Sequence, residues 1–271
     1  MKFALCNEMF ENTPMARIAS VAARLGYQGI EVAPFTLGPS VTEIPVGKRR
    51  EARKAIEDHG LETVGLHWLF AGPKGLHMTT PDQATWQRTR DYLAALLDLC
   101  SDLGGKVLVL GSPKQRSILE NQTKAGAWKR AVDLLASVVG RAGELGLTIC
   151  FEPLAPVETN FINTVAEGMK LVREVNHPSL KIHLDVKAMC SEGKPVAEII
   201  RSVKAKDVGH FHVNDPNLYG PGMGEVNYTP IAQAVRDIGY DKWLSVEVFR
   251  YDPDPETIAK KSIDYLRRFW P

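Results

Sequence analysis

The sequence predicts an α/β protein, a single (β/α)8 TIM barrel that spans residues 1–271 as one domain. Eight short runs rich in Val, Ile and Leu alternate with longer helical patterns from end to end, as repeated βα units of a parallel sheet do. The length also fits, because such barrels commonly occupy about 250 residues. An open doubly wound sheet would share much of this pattern. However, the sequence contains neither GxGxxG after its first strand nor GxxxxGK[ST] anywhere, so the nucleotide-binding version of that sheet lacks its main support.

The predicted strands follow one another along the chain at regular intervals, and a helical pattern follows each. They are KFALCNE (2–8), GIEVAPF (29–35), LETVGLHW (61–68), KVLVLGS (106–112), LTICFEP (147–153), KIHLDV (181–186), VGHFHVN (208–214) and WLSVEVF (243–249).

Helix boundaries are marked most clearly between Thr80 and Leu103. Thr80 can cap this helix, Pro81 suits its first position and Gln83 completes a capping box, while Gly104 follows its end. The His59-Gly60 and Leu145-Gly146 pairs are similar stop signals, each before a strand, where a left-handed residue is expected.

Charge and cysteine content limit the functional classes. The chain has 33 Lys and Arg against 32 Asp and Glu, so it lacks the basic field that would attract nucleic acid or an anionic membrane. We therefore expect small molecules or further subunits, as in a homo-oligomer, to be the partners. The four cysteines form no CxxC pair, which predicts buried, reduced thiols and a cytoplasmic location. No signal-peptide core and no run of about 18 apolar residues is present.

Acidic and histidine side chains recur at the ends of the last four predicted strands. Alternation places Glu152, Asp185, His212 and Glu247 on the parity that faces the barrel interior, at the C-terminal mouth where barrel active sites lie. Three clustered carboxylates repel one another unless a cation neutralises them. The ring therefore predicts a divalent metal site, with Mn²⁺ favoured and Mg²⁺, Co²⁺ or Zn²⁺ as alternatives. His210, one layer deeper, is either a partner of these ligands or a hydrogen-bonded core histidine.

Several motifs together resemble the sugar isomerase/epimerase superfamily with the xylose-isomerase-like barrel. They are FEPL followed by ETNFINT, HLDVK, GHFHVND, the GPGxGE loop of 220–225, SVEVF, GLHWLF with PKGL, and GSPKQR. Within that superfamily the chain is most similar to the ketose 3-epimerases and hydroxypyruvate isomerases.

This resemblance implies specific roles for matching residues. It implies that Glu152, Asp185, His212 and Glu247 hold the metal, that Glu152 and Glu247 are the acid/base pair, and that Glu158 contacts the substrate. The chain departs from the pattern at two places. Ala188 stands where these epimerases have a substrate-binding His, and residues 214–218 lack the usual Arg.

Other residues near the predicted mouth are candidate substrate contacts. His67 could bond a sugar hydroxyl and Trp68 could cover an apolar sugar face, or Trp68 could simply pack at the rim. Lys114 and Arg116 could bind a substrate phosphate, or could be solvated loop cations. Glu31 has either a pocket role or a salt bridge. The loop at 220–225 is predicted to be a flexible cover of the active site rather than a phosphate cradle, because no helix pattern starts directly after it.

These observations lead to a functional hypothesis and to alternatives. The hypothesis is a divalent-metal-dependent sugar or sugar-phosphate isomerase or epimerase that transfers a proton through an enediolate. An inosose-type dehydratase could use the same metal, and a non-catalytic barrel could bind metal and sugar alone. An endonuclease IV-like DNA repair enzyme is disfavoured, because seven His and a net charge of +1 suit neither a zinc cluster nor DNA binding.

Overall fold

The computed structural model describes all 271 residues and contains a closed parallel barrel in the order β1 to β8. This confirms the predicted (β/α)8 barrel. The strands are β1 (Lys2–Cys6), β2 (Gly29–Val32), β3 (Glu62–Leu66), β4 (Val107–Leu110), β5 (Thr148–Phe151), β6 (Leu180–Asp185), β7 (Val208–Val213) and β8 (Trp243–Val246). All eight end before the predicted runs do, because the last residues of those runs leave the sheet at the mouth of the barrel.

Helices follow every strand and surround the barrel. They are α1 (Met15–Leu25), α2 (Val46–Glu57), α3 (Gln83–Asp102), α4 (Lys124–Glu144), α5 (Val165–Val175), α6 (Val186–Met189), α7 (Val196–Arg201), α8 (Tyr228–Asp237) and α9 (Pro255–Leu266). No helix is long and apolar enough to cross a membrane.

The start of α3 differs from the sequence prediction. Thr80 is not its cap; the side chain of Asp82 accepts a hydrogen bond of 2.8 Å from Thr85 N and caps the helix instead. Thr80 Oγ1 accepts from Asp82 N and so shapes the turn before the helix. The predicted stops at Gly60 and Gly146 are confirmed, since both have left-handed backbones with φ of 71° and 66°.

Apolar side chains fill the N-terminal end of the barrel and leave its C-terminal end to polar groups. Ala4, Val64, Val107 and Cys150 form a small buried cluster inside the strands, against which Trp243 packs. Gly65 allows β3 to approach β4, because a Cβ there would lie 1.9 Å from the Val107 carbonyl oxygen. The interior is therefore a packed core with a polar upper layer, as is usual for this architecture.

One prediction about the cysteines was wrong. Cys6, Cys100 and Cys150 are buried and free, but Cys190 is exposed. The short helix α6 carries Cys190 out of the barrel directly after β6, so the apolar environment expected for it is absent. At the C-terminus, Phe269 packs against Tyr265 and Tyr228, with ring centroids 5.2 and 6.4 Å apart.

Candidate metal and substrate site

The four strand-end residues of the predicted metal site lie together at the mouth. Glu152 and Glu247 directly follow β5 and β8, Asp185 is the last residue of β6, and His212 lies in β7. Asp185 pairs with His212 in the strand register, and His212 pairs with Ser245, two residues before Glu247. All four side chains are buried, at most 7% exposed. The alternation of inward- and outward-facing side chains along β5 to β8 is therefore sufficient to bring these four residues together at the mouth.

His212 has the orientation expected of a metal-binding imidazole. Its Nδ1 lies 3.1 Å from Glu247 Oε2, and its Nε2 lies 3.0 Å from Glu31 Oε1. A carboxylate that accepts the proton of one ring nitrogen fixes the ring and raises the basicity of the other, a common arrangement around protein metal ions. Glu31 can accept this proton, which leaves Nδ1 available beside Glu247.

The donor atoms are close enough to share one ion. Ligand atoms of Glu152, His183, Asp185 and His212 all lie within 4.8 Å of one another, and Glu247 adjoins this group through His212. Both ring nitrogens of His183 are buried without a hydrogen-bond partner, and Nε2 lies 3.9 Å from Glu152 Oε1. A donor set of carboxylates and imidazoles with unpaired nitrogen fits a divalent cation such as Mn²⁺.

The electrostatics of the two glutamates differ. Burial raises the pKa of Glu152 well above its usual value, and the charges of Glu247 and Asp185 raise it further. Burial also acts to raise the pKa of Glu247, but the charge of His212 and its hydrogen bond lower this pKa below the usual value. Carboxyl pairs whose environments separate their pKa values are typical of acid/base pairs. A bound cation would favour ionisation of both.

Asp185 is held rigidly by its neighbours. Its Oδ1 accepts a hydrogen bond of 2.7 Å from Ala188 N, and its Oδ2 accepts one of 2.6 Å from Asn214 Nδ2. The Asn214 side-chain oxygen accepts 2.8 Å from Lys187 N. The backbone N–H of Ala188 and the side chain of Asn214 thus fix the orientation of this aspartate.

A second buried network lies beside these residues and resolves the expectations for His210 and Glu31. His210 Nε2 lies 2.7 Å from Glu31 Oε2 and 3.0 Å from Ser245 Oγ. Glu31 is completely buried and also lies 3.7 Å from His67 Nδ1. Glu31 therefore forms buried hydrogen bonds with His210 and His212, and its carboxylate links the two imidazoles.

A cavity of about 470 Å³ opens above the donor group, a size within the usual range of small-molecule sites. Its lining includes His67, Trp68, Glu152, Glu158 and Glu247. The indole Nε1 of Trp68 donates a 2.9 Å hydrogen bond to Glu247 Oε1. Trp68 is thus more than rim packing, since it holds one of the two glutamates.

Glu158 and Lys187 form an ion pair at the side of this cavity. Lys187 Nζ lies 2.8 Å from Glu158 Oε1 and 4.6 Å from the centroid of the Phe249 ring. Glu158 Oε2 accepts a hydrogen bond from Ala155 N. The Glu158 carboxylate, which lines the cavity, is therefore held in one orientation by contacts within the protein.

Arg116 does not lie where a substrate contact requires it. Its side chain is fully buried and donates hydrogen bonds to the carbonyl oxygens of Glu152 and Ile162. The chain turns sharply at Ser112, whose φ is 49°, and directs Arg116 beneath the loop, whereas Lys114 remains on the cavity wall. Arg116 supports the segment that carries Glu152, and its position does not fit the predicted phosphate contact.

The loop at 220–225 also differs from the prediction. The Asp215 carboxylate accepts a hydrogen bond of 3.0 Å from Val226 N at the end of this loop. A Cβ at Gly222 would lie 2.3 Å from the Tyr265 ring, so the loop packs closely on α9. None of its residues lines the cavity. The loop is therefore packed against the barrel and does not cover this site.

Three polar residues of the site were missed as candidates although alternation could have identified them. Cys6 and Glu8 share the inward parity of Ala4 at β1, and His183 shares that of Asp185. All three are buried, and Glu8 Oε2 lies 2.7 Å from His67 Nε2. Applying the parity rule to β1 would have found Cys6 and Glu8, whereas His183 has the inward parity of Asp185 but does not stand at the strand end where ligands were sought.

Comparison with known proteins places the chain in a family. Residues 19–269 match the xylose isomerase-like TIM barrel family, and the chain belongs to it. It is 30% identical over 236 residues to D-psicose 3-epimerase of Agrobacterium fabrum, covering 84% of this chain and 76% of the relative. It is 29% identical over 218 residues to L-ribulose 3-epimerase of Mesorhizobium japonicum, covering 80% and 71%.

The fold is similar to that of solved structures as well. The crystal structure of D-psicose 3-epimerase with D-tagatose from Clostridium cellulolyticum H10 superposes with a TM-score of 0.87. At 22% identity, the match covers 100% of this chain and 98% of that one. This likeness extends over the entire barrel.

Proposed function

We propose that the protein is a divalent-metal-dependent ketose epimerase that moves a proton between Glu152 and Glu247. The observation that carries the proposal is that both carboxylates line one cavity above a group of metal-donor atoms. Relatives named D-psicose and L-ribulose 3-epimerase support a ketose as the substrate.

Glu152, Asp185, His212 and Glu247 would hold the ion, and His183 is close enough to join them. When bound, a divalent cation supplies positive charge that stabilises the oxyanion developing on an enediolate. Mn²⁺ suits this donor set best, while Mg²⁺, Co²⁺ and Zn²⁺ are the other metals to test.

The two glutamates would act from different sides of the substrate. They follow β5 and β8, which are not neighbours in the barrel. One carboxylate removes the proton from the carbon beside the carbonyl, and the other returns a proton to the opposite face, which inverts that carbon. Trp68 holds Glu247 through its indole N–H during this transfer.

Substrate contacts would come from the walls of the cavity. Glu158 can bond a hydroxyl group, and Trp68 offers an aromatic surface for an apolar sugar face. His67 lines the same wall, but its Nε2 is bonded to Glu8 and its Nδ1 is buried near Glu31, so the predicted hydroxyl contact does not fit its position. Of the two predicted phosphate contacts, Arg116 is buried beneath the loop and Lys114 lines the cavity, so the test includes both free sugars and a sugar phosphate.

The test is deuterium incorporation from heavy water by the metal-loaded protein. D-psicose, D-fructose, D-tagatose, L-ribulose, a sugar phosphate, hydroxypyruvate and an inosose form the panel. We expect conversion of a ketose to its C3 epimer with label at C3, and loss of conversion in Glu247→Gln. Label at the carbon adjacent to an aldehyde would indicate an aldose/ketose isomerase, and loss of water from the inosose a dehydratase. Metal binding without exchange in any compound would contradict the proposal and favour a binding protein.

A further inference from the structure

A second, larger cavity of about 1000 Å³ lies between the ends of β1 and β2 and the helices α1 and α2. Its lining includes Glu8, Glu11, Phe35, Glu51, Trp68 and Tyr251. Trp68 is the one residue that lines both cavities. On one side its indole bonds Glu247, and its ring centroid lies 5.8 Å from that of Phe35. A molecule that fills both cavities would therefore pass along Trp68.

Glu8 gives this cavity a polar group that lacks a partner. The side chain is 2% exposed, and its Oε2 is bonded to His67. Its Oε1 is buried and accepts no hydrogen bond from the protein. A buried carboxylate oxygen without a donor is costly, by about 1–3 kcal/mol or more, so a bound molecule that donates a hydrogen bond to it would be stabilised.

The charge of the lining favours a cationic donor. Glu8, Glu11, Glu51 and Asp58 line the cavity together with Lys48 and Lys54. Lys54 is paired with Asp58 at 2.6 Å. Carboxylates therefore outnumber the remaining cation, while Phe35 and Tyr251 provide apolar wall for a carbon chain.

We propose that this cavity binds a substituent of the substrate, so that the ketose carries an additional group whose ammonium or hydroxyl donates a hydrogen bond to Glu8 Oε1. This inference rests on the proposed function, because it assigns the reacting sugar to the cavity of Glu152 and Glu247. It makes the substrate larger than a free monosaccharide. Trp68 then contacts both parts of that substrate.

The test uses fructose ethers with a three-carbon chain at O1 or at O6. The chain ends in an amine, a hydroxyl or a methyl group, giving 3-aminopropyl, 3-hydroxypropyl and propyl ethers. Turnover is measured on the ketoses, and binding is measured by calorimetry on the hexitols obtained by reducing C2, which cannot react. Glu8→Gln keeps the shape of the side chain and removes its charge. Glu198→Gln is the matched control, because Glu198 is exposed on α7 and lines neither cavity.

With the chain at one of the two attachment points, O1 or O6, we expect the aminopropyl hexitol to bind at least tenfold tighter than the propyl hexitol. Glu8→Gln should remove this preference, Glu51→Gln at the exposed rim should reduce it by a smaller factor, and Glu198→Gln should leave it unchanged. Equal binding of the aminopropyl and hydroxypropyl ethers would assign the donor as a hydroxyl; tighter binding of the amine would assign it as a cation.

Two results would overturn the inference. One is equal affinity of all three ethers at both attachment points, and the other is a preference for the amine that persists in Glu8→Gln. Preferential binding of the aminopropyl hexitol without proton exchange in any ketose would contradict the proposed function and leave the cavity assignment intact.

Discussion

The two sides of the barrel mouth carry polar residues that are organised differently. At β5 to β8 the carboxylates of Glu152 and Asp185 lie in a donor group that could hold a cation, and Glu247 adjoins this group through His212. At β1 to β3 the acidic groups are already paired with imidazoles, Glu8 with His67 and Glu31 with His210. The first side thus fits a metal that acts on the substrate, whereas the second holds His212 and forms the wall of another cavity.

The largest effect should come from the paired glutamates. Replacing Glu247 with Gln removes one proton-transfer group, so epimerisation should fall by about 10²–10⁴-fold. Steady-state conversion of the best ketose in the panel, with metal content measured in parallel, provides the test. An equal loss in Glu62→Gln, an exposed residue at the opposite end of β3, would show that the assay does not report on the site.

Metal binding should stabilise the folded chain through the β5 to β8 side alone. At a free metal concentration of 100 times Kd, mass action adds about 2.7 kcal/mol to the free energy of unfolding. Thermal denaturation with and without Mn²⁺ should therefore show a Tm several degrees higher with metal. Asp185→Asn should lose this increase. The surface variant Asp237→Asn should keep it, and an identical increase in both variants would place the ion elsewhere.

Trp68→Phe tests the contact between the two sides. Phenylalanine retains the packing on Phe35 and Phe249 but cannot donate to Glu247. A hydrogen bond to a charged group is worth about 1.5–3 kcal/mol, so kcat should fall roughly 10- to 100-fold. If the indole acts only as a surface for the sugar, KM would rise while kcat stays constant.

Arg116→Met should lower stability without removing any group from the cavity. The substitution leaves the Glu152 carbonyl oxygen without its buried donor, and such a loss costs about 1–3 kcal/mol. Burial lowers the pKa of this guanidinium to about 10, although the charges of Glu152 and Glu158 act to raise it. Urea denaturation checks the prediction. Unchanged stability with impaired sugar-phosphate turnover would instead restore Arg116 as a substrate contact.

The two sides of the mouth also differ in how well the sequence predicted their residues. Alternation and strand ends were enough to place Glu152, Asp185, His212 and Glu247, because parallel strands present all their C-terminal ends at one mouth. The pairing of Glu31 with His210 and His212 depends on the register between strands, which shifts at Ile30/Glu31 and at Ile182/His183. Spacing within one strand does not contain that information.

Loop conformations were the second feature that the sequence did not predict. Arg116 and the segment at 220–225 follow strands directly, and polar or glycine-rich composition suggested exposure at the site. In the structure the left-handed backbone at Ser112 directs Arg116 inward, and Asp215 and Tyr265 hold the glycine-rich segment. Such contacts arise between distant parts of the chain, so composition alone did not predict them.

The most direct test of the central claim is proton exchange at C3 in two variants, each given both epimers of the substrate. If Glu152 and Glu247 act from opposite faces, Glu152→Gln should still exchange the C3 proton of one epimer and Glu247→Gln that of the other, while neither interconverts them. Full interconversion in either metal-loaded variant, or exchange of the same single epimer by both, would contradict the assignment of these two glutamates as the proton-transfer pair.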